Sequence, residues 1–206
     1  MRSKMGVCCT VLGLLLLIGS FALTGYNLWD ADRAGSAAVM DFQALREQTP
    51  NPEELDLPEE LIPNYILNPE MDMPVLRVDG REYIGYVEIP SLGLDLPVMS
   101  EWSYPNLKIA PCRYKGSVYM NDMILCAHNY ERHFGGLKNL DVGDAVLFTD
   151  TEGNVFTFSV AALEQLEPFQ GKEMASGDWD LTLFTCTLGG QHRVTVRCVR
   201  VEDEET

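Results

Sequence analysis

The sequence predicts a mainly β domain, a closed or nearly closed barrel with short helices, placed behind an N-terminal membrane-spanning helix. Two observations point there. The chain opens with an uncharged run from Met5 to Trp29, and from Arg81 onward short apolar or alternating segments are separated by turn-forming residues. The 206 residues leave room for one domain plus appendages, and a hydrophobic fraction of 46% with 22% charged residues is ordinary for a globular chain. A net charge of −16 would repel phosphate backbones, which disfavours nucleic-acid binding.

As a helix, Met5–Trp29 reaches ~37 Å, enough to cross a ~30 Å hydrocarbon core. Arg2 and Lys4 precede it, and Asp30 and Asp32 follow, which predicts an N-in, C-out orientation. Tyr26 and Trp29 stand where interfacial aromatics are expected. A cleaved signal peptide is the rival reading, but the apolar run is long and no Ala-x-Ala site follows it. Cys8 and Cys9 precede the apolar core, so a lipoprotein reading does not fit; acylation and plain membrane-edge thiols both remain open. In either case the rest of the chain is expected outside the cell.

Asp30 to Gln48 reads as a short amphipathic helix with Ala38, Phe42 and Leu45 near one face. Glu47 to Pro74 holds six of the eleven prolines and eight acids, with no Lys or Arg. Such proline density forbids a long helix or a central strand. Two readings fit: an extended acidic spacer, or an arm packed on the domain through Leu61, Ile62, Tyr65, Ile66 and Leu67. The expected layout is a cytoplasmic stub and anchor over 1–29, a spacer or arm over 30–79, and the barrel over 80–206.

Tyr83–Ile89 reads as a strand ended by Pro90, and Leu94–Val98 alternates after a turn at Ser91–Gly93. Met123–Ala127 is a short apolar run, and a helical turn is expected between Tyr130 and Leu140. Ala145–Thr149 and Val155–Val160 flank the turn residues Asp150–Asn154, a hairpin by turn chemistry. Leu181–Cys186 and Arg193–Val201 are two further strands joined through Gly189-Gly190. Short strands with regular turns favour a barrel.

Of the histidines 128, 133 and 192 and the extramembrane cysteines 112, 126, 186 and 198, no set has metal-site spacing, so no metal or other cofactor is expected. A Cys–His nucleophilic pair fits better. A thiol needs a base or cation to act at neutral pH. His128 follows one apolar run and Cys186 ends another, so both are expected at strand ends, where a rigid barrel can present them. In Arg193–Cys198 the period-two pattern separates Arg193, Thr195 and Arg197, expected to face outward, from the core face of Val194, Val196 and Cys198. A guanidinium there is placed to donate to a developing oxyanion, worth roughly 2.7–4 kcal/mol per donor in acyl-transfer sites.

These residues resemble the sortases, membrane-anchored cysteine transpeptidases of Gram-positive cell walls. Thr182-Leu183-Phe184-Thr185-Cys186 matches the family's TLxTC signature, His128 its upstream histidine and Arg193 its downstream arginine. Ile84 to Val98, with its Ile89-Pro90 and Pro97-Val98 landmarks, is similar to the family's opening hairpin. The resemblance covers roughly residues 80–202 and implies a closed eight-stranded sortase-type barrel. It implies Cys186 as nucleophile on an LPxTG-like sorting signal, His128 as acid and base, Arg193 on the substrate backbone and oxyanion, and Thr185 as oxyanion support. The implied partners are a sorting-signal peptide of a secreted surface protein, an amine acceptor (a wall precursor or a pilin lysine) and the membrane. Ala127 stands where many sortases have Gly. The anchor and N-terminal extension look class B-like, but the interval from Val160 to Leu181 leaves little room for the class B helix.

Arg197 is the rival to Arg193, and His133 and His192 are the rivals to His128. A Cys112–Cys126 disulfide outside the cell stays open, but the resemblance implies reduced thiols, since the family rarely depends on disulfides. The alternative to an active transpeptidase is a catalytically silent, membrane-tethered binding or assembly module on the same fold. A papain-like hydrolase is disfavoured, because in this chain His precedes Cys.

Overall fold

The computed structural model describes residues 4–50, 62–168 and 171–201. One helix, α1 (Lys4–Gln48), runs from the apolar stretch into the acidic region without a break. It is the one helix among the described residues long and apolar enough to cross a membrane. From Gly6 to Trp29 its side chains are exposed. Beyond that, Asp30, Ala34, Ala38, Asp41, Phe42 and Leu45 are buried. That is a 3.6-residue stripe, so the same helix that is apolar all round at its start becomes one-sided where it meets the barrel. It ends ahead of Pro50, as the steric restriction on a residue preceding proline requires.

The stripe docks by packing and by buried polar bonds. The Phe42 ring meets Tyr86 edge-on at 5.3 Å. The Asp41 carboxylate accepts from the Tyr83 hydroxyl at 2.6 Å and the Arg81 guanidinium at 2.8 Å. After the undescribed residues 51–61, which include Leu61, the chain follows the barrel surface. Tyr65 in the short helix α2 (Asn64–Leu67) stacks on Tyr119 at 5.0 Å, and Met73 joins the core, while Ile62, Ile66 and Leu67 stay exposed.

Nine strands follow: β1 (Leu76–Val78), β2 (Arg81–Ile89), β3 (Leu94–Met99), β4 (Cys112–Lys115), β5 (Met123–Cys126), β6 (Ala145–Asp150), β7 (Val155–Leu166), β8 (Leu181–Cys186) and β9 (Arg193–Arg200). Eight of them, β2-β3-β4-β5-β8-β9-β7-β6, form a ring closed by the β6–β2 pairing, and β1 flanks β2. The β3–β4 and β5–β8 contacts are parallel and the others antiparallel. The closed eight-stranded barrel is the architecture that the resemblance implies, and its sheet is mixed.

Closure depends on Gly85. Its φ is +145°, and a Cβ there would lie 2.0 Å from the Thr149 carbonyl of β6. Only glycine lets β2 and β6 approach that closely. The β6–β7 hairpin is fixed by Asp150, whose buried carboxylate accepts from the Glu152 and Asn154 amides, the Asn154 side chain and the Tyr119 hydroxyl. The interior is filled by Ile84, Val87, Leu125, Phe148, Phe156, Phe158, Leu183 and Val196, among others.

Two features depart from the sequence reading. β7 continues to Leu166, six residues past Val160, because a bulge between Val160 and Ala162 shifts its register and breaks the alternation. Arg197 is not on an open face: it is 2% exposed. It does point away from the barrel interior, but the β7–β8 connection folds over it. Its guanidinium donates to Glu164, to the Glu173 and Met174 carbonyls and to the Thr182 hydroxyl.

Candidate active site

The strand register brings the candidate residues together. β5 and β8 pair in parallel with a constant offset, Met123 with Leu181 through Cys126 with Phe184. The same offset carried two residues further sets His128 opposite Cys186. On the other side of β8, Cys186 pairs directly with Arg193 of β9. His128 thus lies two residues past the end of β5, Cys186 at the end of β8 and Arg193 at the start of β9, so the imidazole, the thiol and the guanidinium come from the same end of three neighbouring strands. All three line one cleft of about 210 Å³, walled by Trp102, Tyr104, Tyr114 and Phe184. Each of the three is partly exposed.

The row is braced from behind. The Thr185 hydroxyl donates to the Ala127 carbonyl at 2.8 Å, and the Ala127 amide donates to the Phe184 carbonyl at 3.2 Å. These bonds tie the segment carrying His128 to the strand carrying Cys186. Thr185 is buried, and its one hydroxyl hydrogen is already committed. The Arg193 guanidinium donates to the Gly190 and His192 carbonyls of the β8–β9 turn.

Electrostatics around the row come from α1 and its neighbours. The His128 ring packs on Tyr130 at 4.9 Å, and the Tyr130 hydroxyl donates to the Asp30 carboxylate at 2.8 Å. Burial lowers the pKa of His128; the nearby Asp30 charge opposes this and Lys108 adds to it. The bonds from Tyr130 and Arg33 hold the Asp30 carboxyl below its ordinary range. Burial, with help from Asp30, pushes the Tyr130 phenol up to about 12. Asp30 and Tyr130 escape the sequence reading because they are a hundred positions apart; the one local hint is that Asp30 is the first acid after the apolar run.

The rival residues lie elsewhere in function or place. His133 is fully buried beneath α1 with neither ring nitrogen hydrogen-bonded. Burial drives its pKa down to about 4. His192 contacts Glu167 at 3.4 Å on the turn. Cys112 and Cys126 face each other across β4 and β5 and are unbonded. Burial pushes the Cys112 and Cys198 thiols up to about 12 and raises Cys126 as well. Cys186 is the half-open thiol of the barrel.

A family profile described as Sortase domain matches residues 87–201, more than half of the chain. Sortase A of Bacillus anthracis is 23% identical over 189 residues, with 86% of each chain covered. Among solved structures, sortase C1 of Streptococcus agalactiae superposes with a TM-score of 0.54 at 28% identity, covering 63% of this chain and 72% of that one. Sortase C of Clostridium perfringens SM101 superposes with a TM-score of 0.51 at 21% identity over 85% of this chain and 88% of its own, a likeness of fold. The profile match and the closed barrel agree, and the chain belongs to the sortase family.

Proposed function

We propose that this chain is a membrane-anchored cysteine transpeptidase that cleaves an LPxTG-like sorting signal and passes the acyl product to an amine. α1 spans the membrane with the N-terminus inside, and the barrel stands outside. The observation that carries the reading is the single row of His128, Cys186 and Arg193 facing an aromatic cleft.

The Cys186 thiolate attacks the carbonyl carbon of the scissile bond, and the carbonyl electron pair moves onto oxygen. The Arg193 guanidinium, turning from the turn carbonyls it now holds, donates to that oxyanion and to the substrate backbone. Collapse breaks the C–N bond, and protonated His128 gives its proton to the leaving amine. A thioester remains. An incoming amine attacks it, neutral His128 takes the amine's proton, and Cys186 leaves as thiolate. Thr185 acts through Ala127: its hydroxyl holds His128 beside Cys186 and has no hydrogen left for an oxyanion. The apolar walls suit the Leu-Pro portion of a sorting signal. The acceptor is a wall-precursor amine or a pilin lysine.

The test uses the full chain in detergent micelles with a panel of fluorogenic LPxTG-type peptides. Turnover and a covalent acyl-enzyme by mass spectrometry are expected, and Cys186→Ala should abolish both. Absence of turnover and of adduct across the panel refutes the reading and leaves a silent tethered module.

A further inference from the structure

The aromatic wall of the cleft borders a second hollow. β4 pairs with β3 only where Met99 meets Cys112, so from Arg113 onward its outer edge has no strand beside it among the described residues. The gap is a depression of about 430 Å³. It is walled by Ser100 and Glu101 just past β3 and by Arg113 and Lys115 of β4, and it shares Trp102 and Tyr114 with the cleft. Its lining is mostly polar, whereas that of the cleft is mostly apolar. Arg113 donates its Nε–H to the Ser100 carbonyl at 2.9 Å. Its terminal nitrogens and the Lys115 ammonium have no partner among the described residues. Glu101 is the one acid of the lining, so two cations against one acid leave a positive shelf on a chain of net charge −16. Single solvated cations are commonplace on a surface. Two on an open strand edge, continuous with a substrate cleft, form a place for an anion.

We propose that this shelf binds an acidic side chain of the substrate, carried by the residue that precedes the sorting signal on its acyl side. The inference rests on the transpeptidase reading, in which the acyl part of the signal fills the aromatic cleft. That cleft runs from Cys186 to Phe184, two residues back along β8, and on to Tyr114 and Trp102. The Phe184 and Tyr114 rings lie 5.4 Å apart, and the Tyr114 and Trp102 rings 5.8 Å apart. Two strand residues add about 7 Å, so the path from Cys186 to the Tyr114 ring is about 12 Å long. An extended LPxT segment spans about 13 Å. The residue ahead of it therefore arrives at the wall shared by cleft and shelf. An Asp or Glu there reaches the Arg113 and Lys115 cations, and the open edge of β4 offers backbone groups to its main chain. Glu101 opposes part of this attraction.

The experiment measures binding apart from turnover. Full-length Cys186→Ala protein in non-ionic micelles is titrated with fluorescein-labelled LPxTG-type peptides that carry Glu, Gln or Lys immediately before the signal, and Kd is read by anisotropy. Without such a shelf, a chain of net charge −16 would bind the Lys peptide best. The expected order is the reverse: the Glu peptide binds about threefold to tenfold more tightly than the Lys peptide, with Gln between, and added salt narrows the spread. Lys115→Glu should abolish or invert this order while leaving the Gln peptide within twofold, and Glu101→Gln should widen it. A Glu placed two positions past the scissile bond should give no gain. Equal binding of the Glu and Lys peptides, a preference that survives Lys115→Glu, or an equal gain from Glu past the scissile bond overturns the proposal. Turnover of the Gln peptide by the parent protein tests the transpeptidase reading separately. Charge-dependent binding without turnover overturns that reading and leaves the shelf in place.

Discussion

Thr185→Val is the sharpest probe of how the row is held. The substitution keeps the size and β-branching of the side chain and removes the hydroxyl that donates to the Ala127 carbonyl. A buried acceptor stripped of its donor costs about 1–3 kcal/mol. For a barrel of this size that corresponds to a fall in Tm of about 3–10 °C. Two bonds link the Ala127 backbone to β8, so one remains, from the Ala127 amide to the Phe184 carbonyl. His128 is therefore loosened and not released. Misplacement of a catalytic group by about 1 Å lowers rate up to about a hundredfold. The expected result is a joint loss, with stability down by the stated amount and acyl-enzyme formation slowed about tenfold to a hundredfold. Thr185→Ser, which restores the donor, should recover most of both. Thermal unfolding followed by tryptophan fluorescence and rapid-quench mass spectrometry of the acyl-enzyme supply the two readouts. A direct oxyanion donor would behave differently, losing roughly 10²–10³ in kcat with stability untouched. That pattern would refute the bracing argument.

Three further outcomes follow from burial and charge. Methanethiosulfonate reagents should modify Cys186 well before Cys112, Cys126 or Cys198, whose pKa values burial raises, with peptide mapping as the check. Folded His133 titrates near about 4 and an ordinary histidine near 6.5, so the unfolded chain takes up the proton first; this contribution to stability is complete above about pH 6.5 and is lost as pH falls toward 4, in total about 3 kcal/mol. His128 shifts in the same direction, and His133→Leu should flatten the acid limb of a stability–pH curve measured by denaturant midpoint. Asp41→Ala leaves the Tyr83 hydroxyl and the Arg81 guanidinium without their shared acceptor, which should cost about 3 kcal/mol and raise hydrogen exchange over residues 34–48 while the amides of β8 and β9 stay protected. Equal exchange in both regions would show that the helix and barrel open together.

Much of the barrel was legible because its strands carry their own signals. Tyr83–Ile89, Leu94–Val98 and Leu181–Cys186 are apolar or alternating runs bounded by turn residues, and they are strands in the structure. β4 is invisible by that rule: Cys112–Lys115 has one buried side chain, a bulge in its pairing and charged neighbours. The second half of β7 is hidden by its own bulge. Arg197 shows the limit of reading one strand alone. Alternation correctly takes it off the core face, but nothing within β9 reveals that residues 173 and 174 will cover it. For the candidate site, the TLxTC run and the upstream histidine mark His128 and Cys186, while the cleft walls come from Trp102 and Tyr104 in the β3–β4 connection and Tyr114 in β4 itself, elements whose place depends on the closed ring.

The continuity of α1 couples its apolar stretch to the candidate site. From Asp30 to Leu45 the helix rises about 22 Å, and over that length it touches the barrel at every turn. A linker of flexible residues would let the barrel tumble above the bilayer; a helix docked through Asp41, Phe42 and Leu45 does not. The order of contacts along the helix then fixes which end of the barrel is nearer the apolar stretch. Asp30, the first residue past the apolar run, bonds Tyr130, whose ring packs on His128, whereas Asp41 meets Tyr83 and Arg81 three turns further out. On the proposed reading of α1 as the membrane span, the candidate row lies at the membrane-proximal end of the barrel. On that reading, a cleft so placed would favour substrates that are themselves held at the bilayer surface, because tethering replaces a three-dimensional search with a two-dimensional one and raises effective concentration without any added contact.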